Sequence, residues 1–222
     1  MPQAVIFDID GTLVDSVEFH TQAWVKALEK FGHEVEPEQV SQKIGMGSQL
    51  IMQDFMSEEE VEKKGEDINS FRERYFNENF VEKVKPFDGV RSLFQKLKEN
   101  NIPIILATSA EEDLAQHYVD LLEVGGLIEG MTSAGDVDNA KPDPEVFKIA
   151  TQKLSQPANN SEIIVVGDSP YDAKAAVKID LKPMGVLSGG FSEEELTSAG
   201  CIAVYQDIAD MLENYERSPL KS

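Results

Sequence analysis

Four short stretches of this chain place chemically capable side chains directly after apolar runs or beside helix starts. Asp8-Ile9-Asp10-Gly11-Thr12 follows Ala4–Phe7, and Thr108-Ser109 follows Ile102–Ala107. Lys141 stands in Ala140-Lys141-Pro142-Asp143-Pro144, and Gly167-Asp168-Ser169-Pro170-Tyr171-Asp172 follows Ile163–Val166. A carboxylate closing a buried apolar run is costly unless a partner meets it, and both Asp8 and Asp168 stand in that position. Carboxylate oxygens suit a hard divalent cation, and Mg²⁺ takes one or two of them while keeping waters. Gly11 permits a tight turn whose backbone N–H groups can face an anion. Together the acids could hold a metal and a phosphate in one place. Plainer readings stand beside this one. Asp15 or Ser16, Ser109, and Asp168 or Ser169 could each cap a helix, and Lys141 could be a surface lysine before a proline-initiated helix. Capping leaves Asp8 unexplained, and it leaves a second acid, Asp172, over.

Such residues work only if a scaffold gathers them. Ala4–Phe7, Ile102–Ala107, Ile163–Val166, Pro183–Leu187 and Ile202–Tyr205 read as strands. Continuous rather than alternating apolarity is expected where helices cover both faces of a parallel sheet. Helical stretches fall between them, near Gly89–Glu99, Glu112–Leu122, Pro144–Leu154, Tyr171–Ile179 and Ile208–Tyr215. Alternation of this kind predicts a doubly wound α/β core, Rossmann-like, with right-handed crossovers. In such sheets ligands bind beyond the carboxyl ends of the strands, where all four stretches would lie.

One interval breaks the alternation. Residues 17–84 show helical spacing, with His20, Trp24, Ala27, Leu28 and Phe31 on one face and Val61, Ile68, Phe71 and Tyr75 on another. Gly32 and Glu36-Pro37 mark a helix stop and a restart. The expectation is an all-helical insertion over residues 16–85, within a core made of residues 1–15 and 86–222. Arg217–Ser222 is expected to be a frayed end.

Composition narrows the function classes. The 222 residues carry 41 acids against 20 Lys and Arg, for a formal charge of −21. The acidity is spread along the chain rather than gathered in a tail, which argues against nucleic acid as a partner. The sequence has no apolar run long enough for a membrane span. It opens without the basic and apolar regions of a signal peptide, and Cys201 is its sole cysteine. A cytoplasmic protein is the expectation.

Asp8 and Asp10, Thr108, Lys141, and Asp168 with Asp172 resemble, in this order, the four motifs of the haloacid dehalogenase superfamily of phosphotransferases. The helical insertion after the first motif is similar to the cap of the subfamily holding phosphoglycolate phosphatases, sugar-phosphate phosphatases and β-phosphoglucomutase. The resemblance implies that Asp8 is the nucleophile and Asp10 the general acid and base. It implies Mg²⁺ held by Asp8, the Asp10 carbonyl and Asp168, with Asp172 supporting the ion's water shell or Lys141. Thr108, Ser109 and Lys141 would grip the phosphoryl oxygens. An acid at position 10 speaks for phosphoryl chemistry rather than dehalogenation, because a halide leaves without a proton.

In the insertion, His20 resembles a histidine of β-phosphoglucomutase that helps control proton transfer, and equally reads as a packing residue. Gly47 and Ser48, in Ile44–Gln49, resemble the loop that selects the substrate. The mutase carries an arginine there; this chain has no arginine before Arg72. The expected activity is therefore Mg²⁺-dependent hydrolysis of a small phosphorylated metabolite. An isomerase of the β-phosphoglucomutase type is the alternative, and a phospho-accepting receiver a more distant one. Whether the protein is a monomer or a homodimer is not legible in its sequence.

Overall fold

A computed structural model describes residues 1–221. The chain forms two compact units, one of residues 1–15 and 86–222, the other of residues 16–85.

The larger unit is built on a six-stranded sheet. Its strands are β1 (Ala4–Phe7), β2 (Ile104–Ala107), β3 (Gly130–Thr132), β4 (Ile163–Gly167), β5 (Lys182–Val186) and β6 (Val204–Tyr205). They run in the order β3-β2-β1-β4-β5-β6, every pair parallel. This is the doubly wound order, in which the winding reverses between β1 and β4. The reversal opens a crevice beyond the ends of those two strands. The register carries each strand end to that crevice: Phe7 pairs with Leu106 on one side and Val166 on the other.

Each residue of β1, β2 and β4 is buried, which is why their sequences are continuously apolar. One layer of the core joins Ile6, Ile105 and Val165 to Val146, Phe147 and Ala150 of helix α7 (Glu145–Gln152). Helix α5 (Val90–Glu99) buries Val90, Leu93, Phe94 and Leu97, and places Lys96 and Lys98 in its last turn, where cations favour the helix dipole. Phe94 meets Phe7 of β1, ring centroids 4.8 Å apart.

The smaller unit is helical: α1 (Val17–Lys30), α2 (Pro37–Ser41), α3 (Ser48–Gln53) and α4 (Glu58–Asn79). Ser57 and Glu60 form a capping box that starts α4. Pro37 stands at the first helical position of α2, following Glu36. Trp24, Ala27, Leu28, Val40, Met52 and Ile68 form its core.

Several boundaries differ from the sequence reading. The strand expected from Ile102 begins at Ile104, because Ile102 closes the turn after α5 through its N–H to the Leu97 carbonyl. β6 keeps only the last two of its four expected residues. β3 and the short helix α9 (Glu193–Ser198) carry no apolar run and are not legible as periodic elements. The expected fray at the C-terminus is a correction. A short 3₁₀ turn spans Tyr215–Arg217, and Ser218 and Leu220 are fully buried. Ser218 Oγ donates to the Tyr215 carbonyl and accepts from the Leu220 N–H. Ser222 lies outside the described residues.

Candidate active site

β1 delivers Asp8 one residue beyond its end, where the Asp8 N–H donates to the Val166 carbonyl. The chain then turns sharply through Gly11, whose φ of +76° lies in the left-handed region. β4 delivers Asp168 in the same way from the adjacent strand. Helix α8 (Pro170–Val177) follows at once, capped by Ser169, with Pro170 at its first position. β2, on the other side of β1, delivers Thr108.

Lys141 reaches this point from the segment before α7. Its Nζ lies 2.5 Å from Asp8 Oδ1 and 2.8 Å from Asp172 Oδ1, and donates to the Ala107 carbonyl at 3.2 Å. The side chain is 1% exposed. Lys141 is therefore an interior ion-pair residue, and the surface-lysine reading is excluded. A buried ammonium is tolerable only with such partners. Burial works to lower its pKa, but Asp172 and Asp8 outweigh that and push it up.

Asp172 serves two elements. Its Oδ2 accepts from the Ser169 N–H at 3.3 Å, the capping-box contact of α8, and from Ser169 Oγ at 2.6 Å, while Oδ1 takes the Lys141 pair. The capping reading thus holds for Ser169, and the second acid has a partner beyond capping. Thr12, to which the sequence reading gives no role, places its hydroxyl 3.3 Å from Asp8 Oδ2 and 3.1 Å from Asp168 Oδ1. Its place two residues after Asp10 is the signal that could have found it.

The acids crowd one another. One oxygen each of Asp8, Asp168 and Asp172 lies within 4.8 Å of the others, all three side chains being buried. For Asp8, burial raises the pKa, Lys141 opposes that rise, and the Asp172 and Asp10 charges add to it, leaving it at about 7. Asp168 is pushed well above the ordinary carboxylate range by burial and then by the Asp8 and Asp172 charges, against a hydrogen bond from Thr12. Three carboxylates stand against one ammonium, which pairs with Asp8 and Asp172, so the fully ionised cluster carries excess negative charge that burial leaves poorly screened. An all-oxygen, anionic, buried donor set of this kind fits a hard divalent cation. Asp8 and Asp168, which face the same Thr12 hydroxyl, could hold such an ion, Asp168 being the acid of the three that forms no ion pair with Lys141.

Thr108 is buried, and its Oγ1 accepts from the Ala110 N–H at 3.0 Å, which leaves its proton for another acceptor. Ser109 does not cap the next helix; Glu111 holds the cap position of α6 (Glu112–Leu121). Asp10 is partly exposed, and its backbone forms an isolated β-bridge with Val14. Ser16 holds the cap position of α1 without a side-chain capping hydrogen bond.

His20, Gly47 and Ser48 belong to the helical unit. His20 is buried and stacks on Phe76 of α4, with ring centroids 4.0 Å apart and planes 2° from parallel. Gly47 is the cap residue of α3, and Ser48 its first residue. Ser48 also lines a cleft of about 470 Å³ whose walls include Glu58, Glu62 and Glu66 but no lysine or arginine. Arg72 lies on α4 over the Trp24 ring, and its Nη2 donates to Asn69 at 2.7 Å and Glu73 at 3.1 Å.

Residues 5–186 match the family described as haloacid dehalogenase-like hydrolase. This chain belongs to that family. It is similar to a hydrolase from Pseudomonas syringae, with 30% identity, a TM-score of 0.89, and 97% of this chain and 98% of the other covered. It is 27% identical over 220 residues to a phosphoglycolate phosphatase of Rhodospirillum rubrum, covering 95% of this chain and 90% of the relative. It is 25% identical over 206 residues to a phosphorylated carbohydrates phosphatase of Thermotoga maritima, covering 91% and 93%. Among the described residues no helix is long and apolar enough to cross a membrane.

Proposed function

We propose that the protein is a Mg²⁺-dependent phosphatase that hydrolyses a small phosphomonoester through a phosphorylated Asp8. The observation that carries this reading is the buried Lys141, held at 2.5 Å from Asp8 and 2.8 Å from Asp172 in a cluster that also contains Asp168. The residue types suit phosphoryl transfer: a carboxylate nucleophile, a fixed cation, a buried hydroxyl donor and a metal-compatible acid pair. The phosphatase relatives from Rhodospirillum and Thermotoga support it.

In the first step one Asp8 oxygen attacks phosphorus, and the bond from phosphorus to the leaving oxygen breaks. Asp10 gives its proton to that departing oxygen, so an alcohol rather than an alkoxide leaves. Lys141 and the Thr108 hydroxyl hold phosphoryl oxygens during the transfer, and Asp172 keeps Lys141 in place. Asp10, now a carboxylate, takes a proton from water as that water attacks phosphorus, which restores Asp8 and frees inorganic phosphate. A bound Mg²⁺ would offset the charge of the carboxylates and the phosphate, which favours an ionised Asp8 at neutral pH. The partly exposed position of Asp10 suits a group that must exchange protons with water.

Hydrolysis is preferred over isomerisation because a bisphosphate intermediate needs a second anion grip. The loop Ile44–Gln49 has no arginine, and the Arg72 guanidinium is engaged with Asn69 and Glu73. A screen of phosphorylated metabolites with p-nitrophenyl phosphate as reference tests the reading. Multiple turnovers with Mg²⁺ are expected, abolished by Asp8→Asn. A stable phosphoprotein formed in one turnover would favour the receiver, and conversion of β-glucose-1-phosphate to glucose-6-phosphate would favour the isomerase.

A further inference from the structure

β5 is the neighbour of β4, and it ends beside the acid cluster in a tight 3₁₀ turn, Leu187–Gly189. Gly189 is buried in that turn. A Cβ built on it would fall 1.7 Å from Asp168 Oδ2, 2.5 Å from Cγ and 2.6 Å from Cβ. No side chain fits there unless Asp168 moves. Asp168 is itself 3% exposed, and its other oxygen faces the Thr12 hydroxyl at 3.1 Å. Moving it would break that contact.

The adjacent residue completes the arrangement. Ser188 Oγ donates to the Gly11 carbonyl at 2.7 Å. Gly11 and Thr12 share a peptide unit, so fixing that carbonyl orients the residue whose hydroxyl touches both Asp8 and Asp168. The contacts close a ring: Ser188 to Gly11, Thr12 to Asp168, and Asp168 back to Gly189.

We propose that Ser188 and Gly189 are positioning residues: the turn after β5 sets the Asp168 carboxylate and the Asp8–Thr12 loop against one another for divalent-ion binding. Neither residue needs to touch the ion or the substrate. Partners that orient ligand carboxylates commonly matter 10- to 100-fold in metal affinity or activity. The glycine acts by close approach, the serine by a hydrogen bond, so each can be removed separately. This inference rests on the reading of Asp8 and Asp168 as metal holders given above.

Calorimetric titration of the purified full chain with Mg²⁺ or Mn²⁺ tests it without reference to turnover. Gly189→Ala is expected to weaken divalent binding by about 10- to 100-fold. Gly126→Ala, at an exposed glycine with open space around it, is expected to bind as the unaltered protein does. Ser188→Ala is expected to lose binding in the same direction, and Ser188→Thr, which keeps the donor, to recover most of it. In p-nitrophenyl phosphate assays the Mg²⁺ concentration for half-maximal rate should rise for both Ala variants, and excess Mg²⁺ should restore much of the rate to Ser188→Ala. If Gly189→Ala fails to fold, the Ser188 pair carries the test alone. Unchanged divalent affinity in folded Gly189→Ala or in Ser188→Ala overturns the inference. Failure of the unaltered protein to bind any divalent ion would instead overturn the metal-dependent phosphatase reading on which it stands.

Discussion

Replacing Lys141 by Met tests the electrostatics of the cluster directly. The exchange keeps the length and most of the volume of the side chain but deletes the ammonium that Asp8 and Asp172 share at 2.5 and 2.8 Å. Breaking a buried ion pair from one side costs about 3–5 kcal/mol, since the remaining charge is left without compensation. At about 2–4 °C per kcal/mol for a protein of this size, the transition should fall by roughly 6–20 °C in EDTA at pH 8. The loss should itself depend on pH. Asp8 has a folded-state pKa of about 7, raised from 3.8. A raised carboxylate pKa contributes stability that is present below the unfolded value and lost as pH rises through the folded one. For Asp8 that window runs from about pH 4 to about pH 7 and involves about 4 kcal/mol in the metal-free protein. Lys141 opposes the rise, so its removal moves the folded pKa higher and deepens the loss at pH 8. At pH 5 Asp8 is largely protonated, and the same substitution should cost less. Thermal unfolding of both proteins in EDTA at pH 5 and pH 8 measures the difference of differences, from which titrating groups remote from Lys141 cancel. Mg²⁺ added at pH 8 should stabilise the variant. Equal destabilisation at both pH values, or none at pH 8, would refute the assignment of a charge-sharing buried cluster.

Other outcomes follow from the same geometry. Asp8→Asn should reduce turnover of p-nitrophenyl phosphate to background, because the amide cannot attack phosphorus, while Asp10→Asn should lower kcat by about 10²–10⁴-fold; steady-state kinetics at saturating Mg²⁺ separate the two. Excess EDTA should stop turnover, and readdition of Mg²⁺ should restore it. In the helical unit, Leu28→Ala removes a fully buried side chain and should cost about 2–5 kcal/mol, read as a lower midpoint in urea unfolding. At the C-terminus, truncation before Ser218 should destabilise the chain measurably, since it removes the fully buried Leu220; an unchanged melting temperature would refute that.

What the sequence makes visible has a physical pattern. β1, β2 and β4 are read from composition because burial on both faces forces every residue to be apolar. β3 is three residues, Gly-Met-Thr, at the sheet edge, and its stability comes from pairing with β2 rather than from its own side chains. Within the cluster, the chemically notable residue types stand out after strand ends. Their division of labour does not: that Asp172 splits its oxygens between Ser169 and Lys141 depends on where α8 starts relative to the lysine's segment. Gly189 is invisible for a related reason. Its importance lies in what approaches it, and that is set by the order of strands. A Ser-Gly-Gly sequence just after a strand, in a sheet whose neighbouring strand ends in an acid, is the pattern that would have pointed to it.

The strand order also has a consequence for how the protein is made. β1 emerges from the ribosome before either of its partners, and the hydroxyl of Thr12 meets an acid 156 residues further along. Until β2 and then β4 are synthesised, Ala4–Phe7 has two unpaired edges and two bare apolar faces, the kind of segment that associates with other chains. A nascent chain stopped before residue 163 lacks one full side of its central strand. Such chains should be readily cleaved near their N-terminus and bound by chaperones, whereas the helical unit, with its locally closed core, should already resist proteolysis. Limited digestion of arrested chains of increasing length would show protection of β1 arriving late, and early protection would mean that another segment shelters it first.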